Sequence, residues 1–439
     1  MTEEVSNLKN ESEDLNSRRV TPYRRLVVAL SIGKSCSMMV LMIPISLLLT
    51  FKAEQIDAQN STAIFSIVTA IGAVFALFAN PLGGAVSDRT SLRFGRRRTW
   101  IMAGSILGSL AFVGISWAKD VVWLTIFWCM AQLFYNFAFA AYMAIVPDQV
   151  EESRRGSISG ILGLALPVAI VVGYVLMFIM DKATLSARFG VLGLVGIVSA
   201  VITCGMIVDP QTQYVKTGKK ISLNAVYPSP KKYPSFTWGM LTRFFMSMTY
   251  SYQIYTAIML TKRFHLNEVQ TTEYTTLIEV MSLAAMGISS LLGGVLSDKI
   301  RKQKPFIICS VIVMVIGLII VALVNDMTVV TVGCVIINFG YGIYTAVDTA
   351  LIARILPNQQ DAAKDYGLMN VADTLPQSIV PAMAAPLIAV GSWPLFYGVL
   401  SVCGIISAIV VHPIPEMSPT PEESILEKGQ CSHRRNTVK

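Results

Sequence analysis

Charge is what this chain of 439 residues has least of: Asp, Glu, Lys and Arg make up 14% of it, where a water-soluble domain carries about a quarter. With 54% hydrophobic residues and a mean hydropathy of +0.59, it has too little polar surface to cover itself in water. Lipid is the expected solvent. Histidine is scarcer still, with three residues and no two near each other. The seven cysteines, Cys36, Cys129, Cys204, Cys309, Cys334, Cys403 and Cys431, form no CxxC pair, and six lie inside apolar runs. That excludes a metal site or disulfide framework as the organising device and leaves them as small buried hydrophobes. No HExxH or GxSxG is present, so neither an enzyme nor a bound cofactor is expected. The first twenty residues lack an apolar run, and no cleaved signal is expected.

What is present is apolar sequence in lengths that suit a bilayer, about 20 residues per crossing. Such stretches recur at 25–50, 61–87, 99–118, 121–147, 157–180 and 187–208, then at 237–261, 271–297, 305–325, 328–356, 366–390 and 393–412. The expected fold is an all-α polytopic membrane protein of twelve helices in two pseudo-symmetric six-helix halves. Its parts are a tail at 1–24, a bundle at 25–208, a linker at 209–236, a second bundle at 237–412 and a disordered tail at 413–439. The linker carries four prolines and five lysines, a composition suited to a tether that touches anionic lipid. The tail is rich in Pro, Ser and Glu.

The net charge of +8 is explained by placement and requires no nucleic acid partner. With the N-terminus in the cytoplasm, inner loops and tails hold 27 of the 35 basic residues and outer loops hold six. That asymmetry fits the positive-inside rule with both termini cytoplasmic.

The halves echo each other. GGAVSDRTSLRFGRRR (83–98) follows the second segment, and GGVLSDKIRKQKP (293–305) follows the eighth. NFAFAAY (136–142) in the fourth is matched by NFGYGIY (338–344) in the tenth. Matching segments of the same polarity imply a two-fold along the membrane normal and a cavity between halves. In the first echo the glycines allow close helix approach, and Asp88 and Asp298 are placed to bond the N–H groups opening a facing helix. Gly84, Asp88, Arg89, Gly95, Arg96 and Arg97, with Gly294, Asp298 and Lys299, are therefore expected to form a gating clasp; the alternative is headgroup-facing topogenic charge.

Ionisable groups inside apolar helices are costly and point to function. Here they are Lys34, Arg243, Glu279, Asp348 and Asp373. Lys34, Asp348 and Asp373 fall at similar depth, so a charge-compensated cluster is expected, with Arg243 snorkelling near a helix end. A carboxylate beside a cavity can take and release a proton as access alternates, which makes Asp348, Asp373 and Glu279 the coupling candidates; a static pair of Asp348 with Arg354 is the bland reading. Mid-helix aromatics and amides suit a neutral polyhydroxylated solute: Gln132, Asn136, Tyr142, Tyr250, Tyr252, Gln253, Asn338, Tyr341, Tyr344, Asn370 and Gln377.

The inner loop Gly84-x-x-x-Asp88-Arg89 … Gly95-Arg96-Arg97-Arg98 resembles the signature of the major facilitator superfamily. Its longer form, SDRTSLRFGRRRTW, and the stretch VDTALIARILPNQQDAAKDYGLMNVADTLPQSIVP (347–381) resemble the sugar–cation symporter branch that includes glycoside–pentoside–hexuronide symporters and proton-coupled sucrose transporters. The resemblance implies sugar transport by alternating access in the cell membrane, by a chain functional as a monomer among its lipids. Melibiose-type members place cation-binding aspartates on the second helix, whereas 61–87 holds no acidic residue. H+ is therefore expected as the coupling ion ahead of Na+. The competing expectations are an exporter of drugs or metabolites and a non-transporting sensor.

Overall fold

Pro44 shapes the first helix in the computed structural model, which describes residues 21–150, 154, 158, 161–163, 165–209, 233–300, 302–355, 368–369 and 371–414. α1 runs Tyr23–Ile56. Proline has no N–H to give the ladder, and the helix opens into a π-turn over Pro44–Leu48 before closing again. α2 (Ser61–Arg89), α3 (Arg96–Trp117), α4 (Val121–Gln149), α5 (Ala165–Ile179) and α6 (Leu185–Met206) complete the first half. α7 is α-helical over Pro234–Tyr250, tightens to a 3-10 turn at Ser251–Tyr255 and resumes over Thr256–Arg263. α8 (Glu268–Ile300), α9 (Lys304–Leu323) and α10 (Met327–Ile355) follow.

The run Val371–Val410 is 40 residues long. As one straight helix it would measure about 60 Å, twice a hydrocarbon core. Ser392, with φ 61° and ψ −170°, leaves helical geometry and divides it into α11 (371–391) and α12 (393–410). Among the described residues ten helices are long and apolar enough to cross a membrane. The interrupted α7 does not qualify as an unbroken helix, and α11 with α12 counts once, which separates ten from the twelve segments read in the sequence.

Within the first half α3 packs on α4 and α6, α2 on α4, and α1 on α5 and α6; within the second, α8 and α9 pack on α10, while α7 and α9 pack on the α11–α12 run. Small residues admit the closest approaches. A side chain at Gly83 would lie 2.8 Å from Phe137 Cα on α4, and one at Gly293 would lie 3.3 Å from Ile343 Cα on α10. These are the first glycines of the two echoed pairs. Gly84 meets nothing and Gly294 barely touches Ala346, so the close approach belongs to the residue one position earlier in each repeat.

Between halves, α2 packs on the α11–α12 run, α5 on α8, and the π-turn of α1 on the 3-10 turn of α7. The cross-half hydrogen bonds found among the described residues gather at the end opposite Arg96–Arg98. Ser66 Oγ and Tyr255 Oη are 2.8 Å apart, Thr276 Oγ1 donates to Tyr174 O at 3.4 Å, and Lys262 Nζ meets Glu54 Oε1 at 2.8 Å and also donates to Ala58 O. Buried side chains tell the same story. One apolar cluster runs through both halves at this far end, while Leu26, Leu30, Ala138, Ile145 and Ala200 belong to a separate cluster inside the first half at the basic end. The molecule is closed at the far end and its halves keep separate cores at the basic end. Val390, Trp117 and Ile179 are among the most exposed large apolar side chains, as a lipid-facing belt requires.

Candidate functional site

One face of α10 and one face of α7 meet inside the second half. On α10 the residues Cys334, Asn338, Tyr341, Tyr344 and Asp348 recur at three- and four-residue steps, and on α7 so do Arg243, Ser247 and Tyr250, which aligns each set along one helix side. At the basic-end limit of this face Arg243 stands between two carboxylates, Nε 3.8 Å from Asp348 Oδ2 and Nη2 3.6 Å from Asp373 Oδ2. Both distances are Coulombic contacts, too long for hydrogen bonds. Tyr344 donates its hydroxyl to Asp348 Oδ1 at 2.7 Å, and Ser247 donates to Asp373 Oδ1.

One turn further in, the rings of Tyr250 and Tyr341 stack with centroids 3.5 Å apart and planes 7° from parallel. Tyr250 donates to Asn338 Oδ1 at 3.1 Å, Asn338 Nδ2 donates to Tyr252 Oη at 2.8 Å, and Tyr252 donates to Cys334 O at 3.4 Å. The 3-10 turn then rotates the chain so that Gln253 reaches α8, where its amide donates to both oxygens of Glu279 at 3.0 and 3.2 Å. Glu279 is 5% exposed, and no ion-pair partner for it is found among the described residues. The result is a ladder from a charged cluster, through phenols and amides, to a buried carboxylate bonded, among the described residues, to an amide.

In the first half the expected residues are not joined to this ladder by a hydrogen bond. Asn136 Nδ2 donates to Gln132 O at 2.7 Å and to Gln132 Oε1 at 3.2 Å, along its own helix. Tyr142 is buried against Gly33 and Thr203 among α1, α4 and α6. Gln377 is exposed on α11, four residues beyond Asp373. Asn370 lies outside the described residues.

The expected grouping of Lys34 with the aspartates is corrected. Lys34 Nζ donates to Leu162 O on the chain entering α5 at 3.0 Å, and Arg243 is the cation both aspartates share. Lys34 and Arg243 sit at equivalent places of the repeat, on α1 and α7, so depth along the helix could not distinguish them. Arg243 does not snorkel, and it is the cation beside Asp348; the side chain of Arg354 lies outside the described residues.

At the basic end Arg97 is 5% exposed and organises the clasp. Its guanidinium lies 2.6 Å from Asp88 Oδ1 and 2.8 Å from Asp148 Oδ2, and donates to Ser87 Oγ at 3.0 Å; Arg96 adds a second contact to Asp148 at 2.9 Å. The carboxylate on the N–H groups opening α3 is that of Asp209, not Asp88: Arg97 N and Arg98 N donate to its Oδ2 at 2.6 and 2.9 Å. Gly95 makes this possible, because its φ of +104° suits glycine and a side chain there would strike Asp209. Arg89 and Lys299 are exposed, and the side chain of Asp298 is outside the described set. Asp209→Ala removes the acceptor for two orphan helix N–H groups, and about 1 kcal/mol of stability goes with it. The expected result is a melting temperature in detergent lower by about 1 °C, read by thermal unfolding of the purified protein.

Asp148, Asp209 and Ser247 were not singled out from the sequence. The first two stand where an apolar run gives way to polar loop, and Ser247 is one turn from Arg243; each signal is weak without the partner it meets in space.

The profile of the Major Facilitator Superfamily matches residues 30–381 and, in a second alignment, 240–433. The lactose permease of Lactobacillus delbrueckii subsp. bulgaricus is 28% identical over 144 residues, 29% of this chain and 23% of that protein. The sucrose transport protein SUC4 of Arabidopsis thaliana is 34% identical over 76 residues, 17% of this chain and 14% of that protein. The chain thus matches less than a quarter of the length of either relative. A solved D-xylose-proton symporter superposes with a TM-score of 0.70 at 13% identity, covering 89% of this chain and 98% of that one.

Proposed function

The chain belongs to the Major Facilitator Superfamily, and on that premise we propose that it carries a sugar across the membrane together with a proton, by alternating access. The observation that carries the reading is the ladder of α7, α8, α10 and α11. It sets the carboxylates Asp348, Asp373 and Glu279 beside phenols and amides suited to sugar hydroxyls, with one cation, Arg243, to balance two of the three. A multicharged solute would need more fixed countercharge than this. The stacked Tyr250–Tyr341 pair offers an aromatic face for sugar C–H groups. Asn338, Gln253 and Gln377, with Gln132 and Asn136 from the first half, offer hydroxyl partners.

The excess of Lys and Arg on loops at the basic end supports a cytoplasmic position for that end and for both termini. The closed far end is then the outer side and the conformation faces inward. The bundles 25–208 and 237–412 rock about the site as rigid bodies, with the clasp around Arg97 bracing the first of them. A proton bound at the carboxylate cluster and a sugar bound at the ladder together favour the return of the loaded carrier, which is how one gradient drives the other. The names of the lactose and sucrose relatives agree with a disaccharide-sized solute.

Reconstitution of the full chain into proteoliposomes with a panel of radiolabelled sugars tests this. Under an inward proton gradient at least one sugar is expected to accumulate above its outside concentration, and a protonophore is expected to abolish the accumulation. Flux indifferent to the gradient and to the protonophore removes proton symport from the reading.

A further inference from the structure

The two aspartates around Arg243 are held differently, and the difference assigns them different work. Asp348 is 8% exposed and is bonded from within its own helix, since Tyr344 is one turn back on α10. It keeps that bond however α7 and α11 move. Asp373 has 36% of its side chain exposed, and among the described residues both its polar contacts come from α7: the Ser247 hydroxyl on Oδ1 and the Arg243 guanidinium at 3.6 Å on Oδ2. α11, which carries it, belongs to the run that packs across onto α2 of the other half. Asp373 is therefore a tie between a ladder helix and an interface helix, at the end where the halves keep separate cores.

We infer that Asp373 is the carboxylate that gains and loses the proton, with Ser247 its docking donor on α7, and that Asp348 is the fixed counter-ion of Arg243. The inference rests on the proton-symport reading and narrows it. The groups facing Asp373 are Arg243 and Ser247 from α7 and, from α10, Asp348 and the phenol of Tyr341. No other ionisable side chain bonds to it among the described residues. When a proton from cavity water forms an O–H bond on Asp373, its attraction to Arg243 disappears. Arg243 retains one partner, Asp348, and the charge around it balances one to one. The tie from α11 to α7 is then reduced to the Ser247 contact, and α11 is free to shift against α2. Loss of the proton to the cytoplasm restores the tie and resets the carrier.

Three variants in the proteoliposome assay separate these roles. For one proton per sugar, each pH unit of gradient supports about a tenfold accumulation ratio. Asp373→Asn is expected to bring that ratio to about one, while sugar counterflow falls by less than accumulation does. Asp348→Asn is expected to lower counterflow and accumulation together, because Arg243 loses its fixed partner. Ser247→Ala is expected to stay coupled but to transport more slowly, since the tie that resets the carrier has lost its hydroxyl donor. Asp373→Glu keeps the exchangeable group and is expected to recover accumulation; it decides the matter if Asp373→Asn yields no folded protein. Accumulation that persists in Asp373→Asn, or a wild-type transport rate in Ser247→Ala, overturns the assignment while leaving symport standing. A wild-type chain without gradient dependence removes symport and the assignment together.

Discussion

Arg243→Ala is expected to reduce sugar uptake by at least about a hundredfold and to lower the yield of folded protein. Deleting one partner of a buried ion pair costs about 3–5 kcal/mol, and the lower figure already exceeds a factor of one hundred. The reason is the uncompensated charge left behind, and here one arginine serves two carboxylates. Asp373 is partly exposed and can hydrate; Asp348 is nearly enclosed and, among the described residues, keeps the Tyr344 hydroxyl. The penalty therefore falls on Asp348, and combining Arg243→Ala with Asp348→Asn is expected to restore folded yield without restoring coupling. Arg243→Lys is expected to be the mildest change. The contacts at 3.6 and 3.8 Å are not paired hydrogen bonds, so a point charge replaces much of what the guanidinium does. Monodisperse yield after detergent extraction, together with initial uptake rates, measures both effects. Uptake above a tenth of wild type in Arg243→Ala would mean that the cluster is not part of the transport path.

How far the sequence foretold this cluster depends on what a helical residue's number encodes. Position along an apolar run gives depth, and depth selected Arg243, Asp348, Asp373 and Glu279 as costly groups. It does not give the direction a side chain faces. Lys34 shares its depth with Arg243 but lies in the other half, on a carbonyl of the chain entering α5. A one-residue difference is about 100° of helix rotation, which is why Gly83 and Gly293, rather than Gly84 and Gly294, make the close contacts. The break in α1 falls at Pro44, inside a stretch, 25–50, that reads in the sequence as one apolar segment. The break in α7 was not legible either, since SYQIY contains neither proline nor glycine. It coincides with the hydrogen bonds that Tyr252 and Gln253 make to α10 and α8, partners distant in sequence. Asp209 was hidden for the same reason: its two backbone partners lie more than a hundred residues away.

Tyr255→Ala is expected to shift the carrier toward opening at the far end, by about 30- to 100-fold in population. Tyr255 is fully buried where both halves meet. Its ring stands edge-on to Phe65 of α2, centroids 5.4 Å apart, and its hydroxyl lies 2.8 Å from Ser66 Oγ. Within its own half it also touches Phe396 at 5.0 Å and donates to Pro381 O at 3.4 Å. Those contacts do not depend on which end is open, so only the cross-half part enters the shift. An edge-on aromatic pair contributes about 0.5–1.5 kcal/mol beyond area burial, and the hydrogen bond a similar amount. With the apolar area that closure removes from water, about 2–3 kcal/mol is lost from the closed state alone. Tyr255→Phe keeps the ring and forfeits about 1 kcal/mol, a shift of about fivefold. The ion pair of Lys262 with Glu54 is more conspicuous, but its side chains are 24% and 30% exposed, and such pairs contribute less than about 1 kcal/mol. Electron–electron distance measurements between spin labels at Lys119 and Glu273, both exposed near the far end in opposite halves, order the three changes. Tyr255→Ala should lengthen the distances most, and Tyr255→Phe and Lys262→Ala only slightly. The reverse order would put the seal on the ion pair and leave the tyrosine as packing within its own half.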